Sequence, residues 1–509
     1  MLREHRRFFL WAGLGALGLR LFFFIYFPEV TDDSHVYVDL AGNWLQHGLY
    51  GQTESGQIVP ADSRLPGYPA FLGVMFWVFG VGKIRAVLAA QILVDLGSCL
   101  LIADLARRMS AGRWAGRVAF LLAGLCPFLA NYAGTVLTET LEVFFTALAL
   151  DCAVAALNRA SLLGGASLDD ASDDEVQAPW PLWAATGASI GACILLRPDG
   201  GILLAAVALY VAVAAPKGAS GFGRESASLK RCPDTNLGGN RAVENASISS
   251  RRFRPFSGKR FRPLRALVVA EMTVIIIALA PLVPWTARNW ATLHQFQPLA
   301  PRYATDVDEV TPRGFNRWVR TWMADYVSVE EIYWNVPGDK IDVEKLPRRA
   351  LDSAKDATLA LIADYNATQQ LTPQIDARFD EVAAQRIRKH PFRYYITLPL
   401  VRMADVWLRP RTELLPSDPR WWKFNDDPKW SAVAVGLGVI NLFFLVAAGL
   451  ALIFKRADIR YVGLLVCFVV LRSAFLGTIE SPETRYTLEC YPAIIVLASA
   501  MLSGRRETV

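Results

Sequence analysis

The chain of 509 residues is 53% hydrophobic and 20% charged, and its mean hydropathy is +0.27. Several apolar runs reach the roughly 17–25 residues needed to cross a bilayer, so the composition excludes a soluble enzyme and predicts a polytopic all-α membrane protein. The formal net charge of +6 lies in short basic turns and one loop, and it requires no nucleic-acid partner. The seven cysteines form no CxxC and no paired spacing, which argues against a disulfide framework or a zinc knuckle.

The first apolar run, at about 8–27, follows the basic start MLREHRR, which the positive-inside rule assigns to the cytoplasm. No small-residue cleavage site follows this run, so we expect a retained helix. The next stretch predicts an amphipathic helix that lies along the membrane surface and ends at Gly48. Its acidic beginning, Asp32 and Asp33, is expected at the mouth of the helix bundle. Alternatively, Asp33 or Ser34 serves only as a helix N-cap.

Ten spans with both termini in the cytoplasm satisfy the charge rule. A short helix at 68–79 and the segment 390–407 are predicted to lie at the interface. If 390–407 spanned the membrane, the basic turn at 455–460 would lie outside, against that rule. The predicted spans are about 8–27, 85–106, 117–133, 139–157, 181–196, 201–215, 267–285, 431–454, 460–478 and 487–503.

These spans divide the chain into three regions. Residues 1–287 form an N-terminal transmembrane module with an outer loop at 28–84, residues 288–430 form an outer helical segment, and residues 431–509 form the C-terminal helices. The loop at 217–265 is rich in Ser, Gly, Asn and Arg, which predicts a disordered cytoplasmic segment. Its basic end is expected to be a positive-inside anchor, with contact to anionic headgroups as the alternative.

The predicted topology gathers acids and arginines on the outer face. A single charge at a helix end costs little free energy, because a long side chain can extend to the water at the interface. Any one of these residues could therefore lie at the interface without a function. Their convergence suits an anionic lipid headgroup together with proton transfer. For Arg197 a structural role at a helix end is favoured, and for Glu139 a helix-dipole role is as well supported as function. The set is Asp32, Asp33, Arg64, Thr138, Glu139, Arg197, Asp199, Arg288, Glu480, Glu483, Arg485 and Tyr486.

Six short motifs in this order resemble those of the bacterial polytopic GT-C glycosyltransferases, the branch related to protein O-mannosyltransferases and the lipid A aminoarabinose transferase. The resemblance covers about 8–503 without the 158–180 and 217–265 loops. It implies a GT-C-like bundle of about ten helices, with interfacial helices in the first outer loop and a helical outer segment. The motifs are DSHVY at 33–37, RLPGYP at 64–69, TETL at 138–141, LLRPDG at 195–200, PWTARNW at 284–290 and ETRY at 483–486.

The resemblance also implies roles for individual residues. Asp33 matches the catalytic base of the family, and Glu139 matches a second acid. Arg64, Arg288 and Arg485 match basic residues that bind the polyprenyl phosphate. Further substrate contacts are predicted at Asp32, Tyr37, Tyr68 and Tyr486. The element RLPGYP differs from the Lys-Pro-Pro-Leu-like element of the aminoarabinose enzymes, so the resemblance implies no particular donor sugar.

The predicted activity is inverting transfer of a hexose or pentose from a polyprenyl-phosphate donor to a lipid, glycan or protein hydroxyl. The resemblance indicates a bacterial inner-membrane protein with its site on the periplasmic side. No cofactor is expected; His35 and His47 do not form a ligand motif, although a divalent metal stays possible. One alternative is a transporter or flippase of polyprenyl-linked sugars, which would require polar residues at mid-membrane depth. Another alternative is a non-catalytic membrane scaffold.

Overall fold

A computed structural model describes residues 5–110, 112, 114–165, 179–214, 262–303 and 311–504, without the side chains of 161–165, 214 and 262–266. Residues 217–261 of the loop predicted to be disordered lie outside the described residues. The last four residues of that predicted loop, 262–265, instead begin a helix at Arg262.

Helices dominate the described ranges, which also contain one antiparallel hairpin, β1 (Gly51–Glu54) and β2 (Gln57–Pro60). The first half contains α1 (Arg6–Tyr26), α2 (Asp32–His47), α3 (Gly67–Phe79), α4 (Ile84–Met109), α5 (Ala115–Gly124), α6 (Pro127–Tyr132), α7 (Glu139–Gly165), α8 (Trp180–Leu196), α9 (Gly201–Ala214), α10 (Arg262–Leu279) and α11 (Leu282–Leu293). The outer segment contains α12 (Arg313–Arg320), α13 (Tyr326–Ser328), α14 (Arg348–Leu351), α15 (Lys355–Thr368), α16 (Pro373–Lys389) and α17 (Leu398–Leu408), and α18 (Pro428–Phe454), α19 (Val462–Leu476) and α20 (Tyr491–Leu502) end the chain.

The predicted all-α polytopic membrane architecture is confirmed. Among the described residues, five helices are long and apolar enough to cross a membrane, and shorter helices occupy the other predicted spans. The long ones are Arg6–Tyr26, Ile84–Met109, Glu139–Ala160, Leu267–Leu293 and Pro428–Phe454.

The third predicted span is wrong as a single helix, because it divides into α5 and α6. Proline lacks an amide hydrogen and restricts the residue before it, so Pro127 begins a new helix and Cys126 takes an extended conformation. The tenth span also starts late. A 3₁₀ segment over Thr484–Cys490 comes first, and α20 begins only at Tyr491.

The C-terminal helix α20 lies in the centre of the bundle, where it packs against α4, α5 and α18. All of its residues from Tyr491 to Ala500 are buried. One apolar core thus includes both the first helices and the last. The predicted boundaries after residues 287 and 430 fall inside α11 and α18, so the outer segment runs from the end of α11 to the start of α18.

The outer segment has its own aromatic core, in which Trp318 and Trp322 pack beside Phe379. The buried Arg402 of α17 fastens this segment to the bundle. Its guanidinium donates to the carbonyls of Met323 at 2.9 Å and Gly477 at 3.2 Å, and Gly477 caps α19. This fixes the outer segment above the ends of the membrane helices.

A buried ion pair joins the first helices. The Arg20 Nε donates to Asp95 Oδ2 at 2.7 Å, and both side chains are almost fully enclosed. Arg20 also donates to the carbonyls of Ala16 and Ala123. A buried charge of this kind costs free energy unless it is paired, so α1, α4 and α5 are held together by one arginine.

We expect Asp95→Leu to lower the free energy of unfolding by about 3 kcal/mol, because Arg20 would stay buried without its carboxylate. The double variant Arg20→Leu/Asp95→Leu should recover most of this loss. Thermal unfolding of the purified protein in detergent measures both. A stability of Asp95→Leu equal to that of the unmodified chain would show that the pair does not hold the helices.

Candidate functional site

A cavity of about 740 Å³ opens where α2, α8, α9 and the loop before α20 meet. One wall carries charged side chains and another carries apolar ones. Asp33, Arg64, Glu139, Arg197 and Arg485 belong to the charged wall. The apolar wall is formed by Ile202 and Ala205 of α9, by Phe475 and Leu476 of α19, and by Ile479.

Helix α2 places Asp33 at this cavity. Thr31 is the N-cap, because its hydroxyl accepts from the Ser34 amide while the Ser34 hydroxyl accepts from the Thr31 amide. The interpretation of Asp33 as a cap is therefore wrong, and its carboxylate is free for other contacts. Gly48 ends the helix with a φ of +69°, as predicted.

Two arginines hold the Asp33 carboxylate, one on each oxygen. Arg64 Nη2 lies 2.8 Å from Oδ1, and Arg485 Nη2 lies 3.1 Å from Oδ2. Burial raises the pKa of the Asp33 carboxyl, but Arg485 and then Arg64 outweigh it and lower this pKa to about 2. Asp33 is consequently a fixed anion, and in this state it is a weak proton acceptor.

Arg485 connects Asp33 to two more acids. Its Nε lies 2.6 Å from Glu483 Oε2 and 3.8 Å from Glu139 Oε1. The Tyr486 hydroxyl donates to Glu483 Oε1 at 2.6 Å. The motif ETRY thus forms one buried cluster that turns its guanidinium toward α2.

Arg197 lies beside Arg485 at the end of α8. It is 3.5 Å from Glu139, 3.7 Å from Glu142 and 3.5 Å from Asp199, and its guanidinium carbon lies 4.3 Å from the centre of the Tyr486 ring. These ion pairs are long, so the guanidinium is loosely held at the cavity surface. The sequence favoured a structural role for Arg197; the structure adds it to the candidate site.

The motif RLPGYP fixes the first outer loop against α8. A Cβ at Gly67 would lie 2.6 Å from the Leu195 carbonyl oxygen, so only glycine permits this approach. Tyr68 is fully buried and donates to Gln91 Oε1 at 2.6 Å. Its ring packs edge to face on Tyr37, which lines the cavity. Tyr68 thus lies behind Tyr37 rather than in the cavity.

The structure brings six of the nine predicted site residues to the cavity and leaves three outside it. Asp32 is exposed and does not line the cavity. Arg288 donates to the carbonyls of Ala61, at 2.8 Å, and Tyr50, and it lies over the Trp285 ring. Arg288 therefore docks the hairpin onto α11. The six cavity residues are Asp33, Tyr37, Arg64, Glu139, Arg485 and Tyr486.

An outer rim of the cavity was not foreseen in the sequence. The Tyr303 hydroxyl and Arg302 Nη2 both contact Glu480 Oε1 at 2.8 Å, and all three residues line the cavity. The sequence predicts Glu480 on the outer face, but nothing in the spacing pairs it with Arg302 and Tyr303, which lie 178 and 177 positions away. In the described part of the chain, no group of three or more His, Cys, Asp or Glu is arranged to hold a metal.

No protein-family model matches the sequence, and no curated protein matches it. Among solved structures, the chain is similar to the archaeal oligosaccharyltransferase AglB from Archaeoglobus fulgidus, in complex with an inhibitory peptide and a dolichol-phosphate. The identity is 13% and the TM-score is 0.50, over 98% of this chain and 50% of that chain. This chain thus spans about half the length of the archaeal protein.

Two crystal structures of ArnT from Cupriavidus metallidurans are also similar, one in the apo state and one bound to undecaprenyl phosphate. Each is 15% identical and covers 97% of this chain, with 77% and 78% of the ArnT chain covered. Their TM-scores are 0.34 and 0.33. The fold assignment rests on AglB, and the GT-C-like fold that the resemblance implied is confirmed.

The two arginines on Asp33 should differ in their effect on stability. Arg485→Gln removes the cation that lies 2.6 Å from the buried Glu483 and leaves Glu139 with Arg197 alone, and we expect a loss of about 3–5 kcal/mol. Arg64→Gln removes one partly exposed ion pair, for which about 1 kcal/mol is expected. Unfolding of both variants in the same detergent measures the difference. Equal losses would contradict the central position assigned to Arg485.

Proposed function

We propose that this chain transfers a sugar from a polyprenyl-phosphate donor to an acceptor hydroxyl, at the periplasmic face of a bacterial inner membrane. The observation that carries the proposal is the Asp33 carboxylate held by Arg64 and Arg485 in a cavity with one charged and one apolar wall. A carboxylate can accept the proton of a hydroxyl, and guanidinium groups bind phosphate. The fold shared with AglB, a transferase whose structure contains a dolichol-phosphate, supports this substrate class.

The proposed reaction is a single displacement with inversion. The acceptor oxygen gives its proton to Asp33 and forms a bond to the anomeric carbon of the donor. The bond between that carbon and the phosphate oxygen breaks, and its electron pair leaves with the polyprenyl phosphate. Arginines beside the phosphate stabilise the charge that develops on the leaving group. Glu139 is buried between Arg197 and Arg485 and places a negative charge beside both guanidinium groups.

The apolar wall suits the lipid part of such a donor. Ile202 and Ala205 of α9 line the cavity together with Phe475 and Leu476 of α19, the helix against which α9 packs. An isoprenoid that runs between these helices would bury its chain against aliphatic and aromatic side chains, and its phosphate would remain near the charged wall. The sugar would then lie beside Asp33.

A phosphate entering this cavity meets no unpaired arginine. All four arginines that line it already lie within ion-pair distance of a carboxylate, so a phosphate would compete with these acids for the guanidinium groups. The pairs are Arg64 with Asp33, Arg197 with Glu139, Glu142 and Asp199, Arg302 with Glu480, and Arg485 with Asp33, Glu139 and Glu483.

Asp33 is the carboxylate that is displaced at the lowest cost. Its side chain is 30% exposed, so water can solvate it after release, whereas the Glu139 side chain is 3% exposed. Once Arg64 and Arg485 turn to the phosphate, the pKa of Asp33 rises from about 2 toward the usual carboxyl range. A base with a higher pKa accepts a proton more readily. Donor binding would thereby prepare the base for its own reaction.

The transporter alternative receives less support. Several charges in the bundle neutralise each other as ion pairs: Arg20 pairs with Asp95, and Arg472 pairs with Glu489 at 2.5 Å. Arg108 lies 2.9 Å from Asp151, near the middle of α7. Each pair neutralises a cation and an anion on two packed segments of the chain, which is a structural role.

We expect Asp33→Asn to lower the rate of sugar transfer about a thousandfold, because an amide cannot accept the acceptor's proton. Release of free polyprenyl phosphate from a labelled polyprenyl-phosphate sugar measures the rate. Asp32→Asn is the matched control, because it removes the same charge one residue away, outside the cavity, and it should retain activity. Undiminished turnover in Asp33→Asn would end the assignment of this residue as the base.

A further inference from the structure

A second cavity, of about 490 Å³, lies in the outer segment. The stretch from Asp325 to Tyr333 separates it from the candidate active site, since Asp325, Val327 and Ser328 line this cavity while Tyr333 lines the other. The proposed reaction uses none of its residues. Its charged side chains are Lys345, Arg349, Arg409, Arg420, Asp325 and Asp405, four cations and two anions.

Two of the four cations are already neutralised. Arg349 is in close contact with Asp325, and its Nε donates to the Trp322 carbonyl at 2.7 Å. Arg420 contacts both carboxylate oxygens of Glu331 through its two terminal nitrogens. These arginines therefore form the frame of the cavity and contribute little net charge.

The other two cations, Arg409 and Lys345, have no carboxylate within ion-pair distance among the residues that the structure describes. Arg409 is 7% exposed, and one of its terminal nitrogens donates to the Pro419 carbonyl. Its guanidinium carbon lies 5.0 Å from the centre of the Tyr326 ring, while the Asp405 carboxylate accepts from the Tyr326 amide. Lys345 is exposed at the cavity edge. Glu330, Asp405 and Glu413 interact with Arg409 only from beyond ion-pair distance. A buried guanidinium without a close carboxylate costs free energy, part of which an anion in this cavity would recover.

The cavity lies where the outer segment meets the start of α18. Trp421 and Trp422 line it and precede α18, a helix long and apolar enough to span, by only a few residues. Trp422 is 51% exposed and Leu408 is 59% exposed, so part of the rim is apolar, while Lys345 lies at the edge and Arg409 inside. Tryptophan at the start of a span is typical of the level of the lipid headgroups.

We propose that this second cavity binds a phosphate-bearing anion at the outer membrane boundary, with Arg409 and Lys345 as its ligands. A lipid headgroup and a soluble phosphate share this chemistry. The apolar rim favours the lipid, because Leu408 and Trp422 would contact the first carbons of its acyl chains. The site is separate from the transfer reaction and stands whether or not that reaction occurs.

Binding to the full-length protein in a zwitterionic detergent tests the proposal, with short-chain phosphatidylglycerol, short-chain phosphatidylcholine and inorganic phosphate as probes. We expect phosphatidylglycerol to bind more tightly than phosphatidylcholine. Lys345→Glu should weaken phosphatidylglycerol binding about tenfold or more, because it reverses a charge at the cavity edge. Lys340→Glu makes the same charge change at an exposed position outside the cavity, and its affinity should equal that of the unmodified chain.

Binding to the variant Trp422→Ala distinguishes a lipid headgroup from a soluble phosphate as the occupant. If this variant weakens phosphatidylglycerol binding and leaves inorganic phosphate unaffected, the occupant is a lipid headgroup. If inorganic phosphate binds as tightly as the lipid and depends equally on Lys345, the occupant is a soluble phosphate and the anion site still stands. Equal losses in Lys345→Glu and Lys340→Glu, or no preference for phosphatidylglycerol over phosphatidylcholine, would overturn the proposal. Neither result bears on Asp33.

Discussion

The Asp33 carboxylate, shared between Arg64 and Arg485, is the contact on which the arrangement of the site depends. It joins the start of α2 to the loop before α20, two segments 452 positions apart in the chain. Arg485 extends the connection to Glu139 at the start of α7, and Arg197 extends it to the end of α8. Four helix ends therefore converge because buried charges need counter-charges, and the cavity is the space between them.

The need of buried charges for counter-charges or hydrogen-bond acceptors also explains contacts elsewhere in the bundle. The ion pair of Arg20 with Asp95 fixes α1 to α4, and Arg402 fastens the outer segment to the end of α19. Glycine at position 67 then lets α3 approach the end of α8 without a side chain between them. These contacts are structural, and they position the elements that line the cavity.

The sequence predicted the helices well, because apolar length and periodicity depend on residues close together in the chain. It also predicted that Asp33, Glu139 and Arg485 share one face. It did not predict Arg302 and Tyr303 on Glu480, or the docking role of Arg288, because those contacts depend on how distant loops pack. Pro127 in the sequence indicates the division of the third span, but the apolar length of that span predicted one helix. Roles for the six cavity residues remain predictions, since geometry places a side chain without measuring its chemistry.

The central claim is that phosphate and Asp33 compete for the same guanidinium groups, and the affinity for polyprenyl monophosphate without a sugar tests it most directly. If the claim holds, Asp33→Asn binds this lipid about tenfold more tightly than the unmodified chain, because Arg64 and Arg485 no longer have to leave a carboxylate. Asp32→Asn, with the same change in net charge, should bind it with unchanged affinity. Equal or weaker binding by Asp33→Asn, or an equal gain in Asp32→Asn, would contradict the account.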